Sequence, residues 1–216
     1  MTIQLELEEA HEGASRRAAA LIAGALGAGG TAVLAGGRTP ERTFQLLGDA
    51  PLPWGKITLV PSDERCLPVG HAERNDAMIA AMLGELGYRL HRFPAERGAE
   101  AAARALEPEL AALMPFDVVL LGLGEDGHTA SLFPGQRSVA FADSRVAPVH
   151  GAPKPPPDRV TLTLRALESA RLVLFLVTGA GKREPLARLL AGDDIPAAWI
   201  RAADVRVIAD RAAHPG

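Results

Sequence analysis

In the run Gly124-Glu125-Asp126-Gly127-His128-Thr129 a histidine stands two residues after an aspartate, with glycines beside both. Imidazole is the side chain whose proton affinity suits acid–base work near neutrality. Asp126 is placed to fix the ring's tautomer, and the glycines let a substrate approach closely. The plain alternative is a surface-loop histidine bonded to its neighbour. His11, His71, His91, His150 and His214 have no comparable setting and read as background.

Other loops supply groups suited to an anion. Ala35-Gly36-Gly37-Arg38-Thr39-Pro40 offers backbone N–H groups from Gly36 and Gly37 at the start of a helix, where the helix field favours negative charge, and Thr39 adds a hydroxyl. A tight turn with a helix cap and no ligand fits this loop equally well. It matches neither G-x-x-x-x-G-K-[ST] nor G-x-G-x-x-G, so nucleotide fingerprints are absent. Lys182, one of three lysines with Lys56 and Lys154, follows Gly179-Ala180-Gly181 and can reach a phosphate as a point charge. Arg159 follows the stiff run Lys154-Pro155-Pro156-Pro157-Asp158, and a guanidinium held that way suits phosphate recognition; a salt bridge to Asp158 or Glu168 is the alternative. In Ser62-Asp63-Glu64-Arg65, Arg65 can meet an anionic substrate and Asp63 can accept sugar hydroxyls, although three successive charges are usually a solvated loop. Cys66 beside them reads as a structural cysteine, since no local histidine would activate it.

These groups need a scaffold that brings them together. Apolar runs at Thr31–Ala35, Ile57–Val60, Asp117–Leu123, Leu172–Thr178 and Val205–Ala209 read as buried strands, with weaker candidates at Ile3–Leu7, Leu90–Phe93 and Val160–Leu164. Between them fall helical stretches: Ala14, Ala18, Leu21, Ile22 and Ala25 recur at helical spacing, Pro40 opens a second helix, Ala77, Met78, Ala81 and Met82 mark a third, and Ala99–Leu113 a fourth. The segment between strand Ile57–Val60 and the third helix reads as one long polar loop. Strands alternating with helices give an α/β protein with a mostly parallel sheet covered on both faces. Ligands of such sheets bind beyond the carboxyl ends of the strands. The loops after Ala35, Val60, Leu123 and Thr178 therefore share one expected site.

The chain of 216 residues fits a single domain, 1–216, without internal repeats. Lys+Arg of 23 against Asp+Glu of 26 offers no basic surface for nucleic acid or membrane. A single cysteine excludes a disulfide framework and a multi-cysteine zinc site, so no metal is expected. The uncharged stretch Ala18–Gly37 follows Arg16-Arg17, yet Glu6, Glu8, Glu9 and Glu12 precede it, unlike the basic flank of a secretory signal. A cytoplasmic enzyme for a small phosphorylated substrate, with a histidine base, is the reading these residues support.

At the same loops the sequence resembles the 6-phosphogluconolactonase family over nearly its whole length. The resemblance is carried by Asp117–Gly135, containing GEDGHTASLFPG, and by Lys154–Leu164, KPPPDRVTLTL, with support from Ala35–Pro40, Trp54, Ser62–Arg65, Asn75 and Val177–Lys182. Where that family usually has Ser-Gly-Gly-Ser-Thr-Pro, this chain has Ala35 and Arg38 in place of the serines, one hydroxyl fewer and one charge more. The resemblance implies a three-layer α/β fold like that of sugar-phosphate isomerases and glucosamine-6-phosphate deaminase. It implies hydrolysis of 6-phospho-D-glucono-1,5-lactone in the oxidative pentose phosphate pathway, without a cofactor. His128 would be the general base and Asp126 its orienting partner. Gly36, Gly37, Arg38, Thr39, Arg159 and Lys182 would hold the phosphate, and Asp63 and Arg65 nearby polar groups. A functional association with the preceding dehydrogenase, glucose-6-phosphate dehydrogenase, would follow. The alternatives are a deaminase of amino-sugar phosphates and a non-catalytic sugar-phosphate-binding domain. The deaminase pattern, like Gly-His-Ile-Ala-Phe-Asn-Glu-Pro, places a glutamate where this chain has Phe133, and a phenyl ring carries no proton.

Overall fold

The structure, a computed structural model, describes residues 3–136, 140 and 143–216. Its strands in chain order are β1 (Gln4–Glu8), β2 (Gly30–Leu34), β3 (Ile57–Pro61), β4 (Asp63–Arg65), β5 (Arg89–Leu90), β6 (Val118–Leu121), β7 (Val146–Val149), β8 (Arg159–Leu162), β9 (Leu172–Val177) and β10 (Val205–Asp210). The helices are α1 (His11–Ala25), α2 (Glu41–Gly48), α3 (Asn75–Leu83), α4 (Ala99–Ala111), the single turn α5 (Leu164–Leu167) and α6 (Arg183–Ala191).

Seven strands form one sheet in the order β1-β10-β9-β6-β2-β3-β5, every pair parallel. Successive side chains of a strand point to opposite faces, and β6 is apolar throughout because both of its faces are buried. Val118 and Leu120 pack with Ala14, Ala18 and Ile22 of α1, Phe44 and Leu47 of α2, and Ile79 and Leu83 of α3. Val119 and Leu121 join the opposite core, with Leu106 and Leu110 of α4 and Leu186 and Leu189 of α6. The result is three layers, helix–sheet–helix, as the alternation of runs predicts.

A second sheet was not legible in the sequence. β4, β8 and β7 pair antiparallel in that order and cover the α4 side, adding Val146, Val160 and Leu162 to its core. The expected long polar loop after β3 is thus interrupted by β4. Register sets Asp63 opposite Thr161 and Arg65 opposite Arg159. Smaller differences concern boundaries and faces. Pro40 caps α2 and does not begin it, and β5 stops at Leu90, short of Phe93. The inward face of α3 is Asp76, Ile79 and Leu83, whereas Ala81 is exposed. That face tolerates a carboxylate because the buried Arg74 guanidinium grips Asp76 at 3.0 Å through both Nε and Nη2. Among the described residues no helix is long and apolar enough to cross a membrane.

Candidate active site

In an open parallel sheet the ligand crevice lies where the strand order reverses. Here the chain runs outward from β2 to β3 and β5, then returns to the other side of β2 at β6 and proceeds to β9 and β10. A cleft of about 220 Å³ opens beyond the carboxyl ends of β2 and β6. Ala35–Pro40 contributes Gly36, Gly37 and Thr39 to it, the β3–β4 corner contributes Asp63 and Arg65, the β6 loop His128, and the β9 loop Lys182. Arg159 reaches it from β8. All four strand-end loops therefore meet, as expected. Arg38 is exposed and does not line the cleft.

The β6 loop folds back on itself. Gly124 N–H donates to the His128 carbonyl at 2.8 Å and Gly127 N–H to the Gly124 carbonyl at 3.0 Å. Asp126 Oδ1 accepts the His128 amide at 3.1 Å and lies 2.5 Å from His128 Nδ1, so one carboxylate fixes both backbone and ring. Burial raises the Asp126 carboxyl, but the bonds from the His128 amide and ring outweigh it, and the net position is below the ordinary carboxylate value. Asp126 itself is not part of the cleft wall; its contribution is to hold the ring. With Nδ1 engaged, Nε2 is the nitrogen left for a substrate. A Cβ at Gly124 would stand 2.0 Å from Nδ1, so only glycine permits the ring to lie there.

Asp63 is almost wholly buried and bound by the protein's own donors: Ser62 Oγ at 2.8 Å, Ser131 Oγ at 2.5 Å and Asn75 Nδ2 at 3.3 Å. Arg159 Nη1 stands 4.0 Å from it. The Arg159 guanidinium also donates to the carbonyls of Pro156 at 3.1 Å and Lys154 at 2.8 Å, so the proline run clamps it. Burial lowers the Arg159 pKa, Asp63 opposes that, and the facing Arg65 reinforces it. Asn75, at the start of α3, also donates from Nδ2 to the Asp63 carbonyl at 2.7 Å. Glu64 accepts the Asn75 and Asp76 amides at 2.8 Å each, satisfying the first free N–H groups of α3. Burial, with Asp158 adding to it, pushes the Cys66 thiol up to about 11, which disfavours the thiolate.

The β9 loop is tied down from below. Asp210, buried at the end of β10, accepts the Gly179 amide at 2.9 Å and the Ala213 amide at 2.9 Å. Burial pulls the Lys182 ammonium below its usual 10.5; Glu125 opposes this, Lys154 reinforces it, and Asp126 opposes it. Several residues at the site were not singled out from the sequence. Ser62, Thr129, Lys154 and Thr178 line the cleft, and Ser131 holds Asp63 from outside the strand-end loops' obvious chemistry. His11, read as background, stands 3.0 Å from Thr178 Oγ1 through its Nδ1. That contact spans 167 positions, and no local pattern announces it.

The sequence profile described as "Glucosamine-6-phosphate isomerases/6-phosphogluconolactonase" matches residues 6–209. A 6-phosphogluconolactonase from Pseudomonas putida is 36% identical over 201 residues, covering 89% of this chain and 82% of that protein. The human 6-phosphogluconolactonase is 35% identical, covering 87% and 79%. Among solved structures, 6-phosphogluconolactonase from Thermotoga maritima superposes with a TM-score of 0.88 at 29% identity, covering 97% of this chain and 99% of that one. A monomeric glucosamine-6-phosphate deaminase shares the fold at a TM-score of 0.87 and 24% identity, covering 98% of each chain.

Proposed function

Because the chain belongs to the glucosamine-6-phosphate isomerase/6-phosphogluconolactonase family, we propose that it is a lactonase that hydrolyses 6-phospho-D-glucono-1,5-lactone to 6-phospho-D-gluconate. The observation that carries the reading is the Asp126–His128 pair at the cleft formed by four strand-end loops. Lactonase relatives at 35–36% identity over most of the chain support it.

In this mechanism His128 Nε2 takes a proton from water as the water oxygen bonds to the lactone carbonyl carbon. The tetrahedral intermediate collapses by breaking the bond from that carbon to the ring oxygen. The imidazolium returns its proton to the departing ring oxygen, which becomes the new hydroxyl, and the carboxylic acid product ionises. Asp126 keeps Nδ1 occupied and stabilises the imidazolium. General-base assistance of this type contributes about 10²–10⁴-fold. Lys182, Arg159 and the N–H groups of Gly36, Gly37 and Thr39 hold the phosphate, Arg65 meets the substrate's polar groups, and Asp63 keeps Arg159 and Ser131 in place. Residues 1–216 act as one domain in the cytoplasm, in functional association with the dehydrogenase that produces the lactone.

The deaminase reading is less well supported. Phe133 stands where that enzyme's pattern has its glutamate, and the ring is buried against His128. Lactone hydrolysis by purified protein, corrected for the spontaneous reaction and run with and without the 6-phosphate, tests the proposal. A clear preference for the phosphorylated lactone is expected; no acceleration of either lactone overturns it.

A further inference from the structure

Thr178 lines the cleft four residues before Lys182, at the end of the strand whose following amide is tied to Asp210. Its Oγ1 meets Nδ1 of His11, the first residue of α1, at 3.0 Å. The other ring nitrogen, Nε2, stands 3.4 Å from Oγ of Ser15, one helical turn along. Ser15 is fully buried, and among the described residues its hydroxyl has no other hydrogen-bond partner. A buried hydroxyl left without an acceptor for its proton is destabilising. Nε2 is the acceptor on hand, which makes it the unprotonated nitrogen and places the ring proton on Nδ1. Nδ1–H then donates to Thr178 Oγ1, and the Thr178 proton is free to point into the cleft.

We propose that the chain Ser15–His11–Thr178 sets the Thr178 hydroxyl as a hydrogen-bond donor to the substrate's phosphate, with Thr178 a substrate-binding residue and His11 its positioning residue. The inference rests on the sugar-phosphate lactone reading above. The cations that line the same cleft favour this polarity: Lys182, Lys154 and Arg159 bring only donors and call for acceptors on the ligand. The reverse chain, with Thr178 donating to Nδ1 and Nε2–H to Ser15, would set a lone pair against the phosphate oxygens.

The test is steady-state kinetics on 6-phospho-D-glucono-1,5-lactone and on unphosphorylated D-glucono-1,5-lactone. Thr178→Val removes the hydroxyl at nearly constant shape and is expected to raise KM for the phosphorylated lactone about tenfold, with kcat within about twofold and the other lactone unchanged. Thr178→Ser keeps the donor and is expected to behave as wild type. His11→Leu is expected to copy Thr178→Val, His11→Asn to restore most of the affinity by presenting an amide N–H where Nδ1–H was, and the double variant His11→Leu/Thr178→Val to be no worse than either alone. Unchanged KM in Thr178→Val, equal losses on both lactones, or additive effects in the double variant would overturn the proposal. Should Thr178→Val not fold, Thr178→Ala carries the same comparison. Should the wild type hydrolyse neither lactone, the functional reading falls separately, and calorimetry with inorganic phosphate still decides: weakening in Thr178→Val supports the donor, and equal binding refutes it.

Discussion

The ring of Phe133 lies against the ring of His128, centroids 4.8 Å apart and planes tilted by 44°. The Arg159 guanidinium carbon sits 5.6 Å from the same phenyl centroid. One buried phenyl ring thus contacts the proposed base and a proposed phosphate ligand together, and it puts no titratable group beside His128 on that side. The protein is therefore expected to release no ammonia from glucosamine 6-phosphate, and Phe133→Glu is expected not to create that activity, since a carboxylate there would lose the packing that holds both partners. Ammonia release by the wild type at the rate of lactone hydrolysis would reverse the choice between the two activities.

His128→Ala is expected to lower kcat by roughly two to four orders of magnitude with little change in thermal stability, because the ring caps a strand-end loop and fills no core. His128→Asn should be equally poor: an amide can bond water but cannot take its proton. The check is turnover on the phosphorylated lactone after subtraction of spontaneous hydrolysis, and variants matching the wild type would remove His128 from the mechanism.

Lys182→Ala is expected to cost about ten- to a hundredfold in kcat/KM on the phosphorylated lactone and almost nothing on gluconolactone. Its pH behaviour follows from burial. Because the folded protein holds this ammonium less tightly than an ordinary lysine does, Lys182 loses its charge before pH reaches 10.5. The buried charge detracts from stability at lower pH, and that penalty fades as pH rises through the lowered value. Phosphate affinity fades over the same interval. Calorimetric binding of 6-phosphogluconate is expected to weaken with rising pH below 10.5 in the wild type and to stay level in Lys182→Arg; parallel profiles would mean that another group controls the site.

Gly36→Ala tests the contact between the first loop and α3. A Cβ there would stand 1.9 Å from Asn75 Oδ1 and 2.4 Å from its Cγ. The Asn75 amide would have to swing off the Asp63 carbonyl, loosening the corner that carries Arg65. A loss of about 1–3 kcal/mol in unfolding free energy is expected, together with a raised KM. Denaturant unfolding that is indistinguishable from wild type would show that the loop yields instead.

The strands of the large sheet were readable because burial on both faces demands apolar side chains at every position, as in Val118–Leu121 and Leu172–Val177. The small sheet was not. β4 is Asp-Glu-Arg and β7 contains Pro148, so neither carries a strand signature, and both exist through pairing with β8. The helix α3 was legible, and Met78 and Met82 do pack against the core. Its most buried face escaped notice because the inward Asp76 is polar and answered by Arg74, which no periodicity count reveals. At the site, His128, Asp126 and Lys182 were legible because each is local to a glycine loop after a strand. His11 and Ser131 act across 167 and 68 positions and could be found only once the chain had folded.

The ladder between β4 and β8 sets Arg65 opposite Arg159. Like charges directly opposed across an antiparallel pair are destabilising, and Arg65 does work against the charge on Arg159. An anion seated against both side chains relieves that opposition, so occupancy of the cleft and resistance to unfolding rise together. Heat denaturation thereby becomes a gauge of recognition that needs no turnover. Compounds can be ranked by how far they raise the melting temperature, and those that lack a negative group should raise it less than their phosphorylated counterparts at equal concentration.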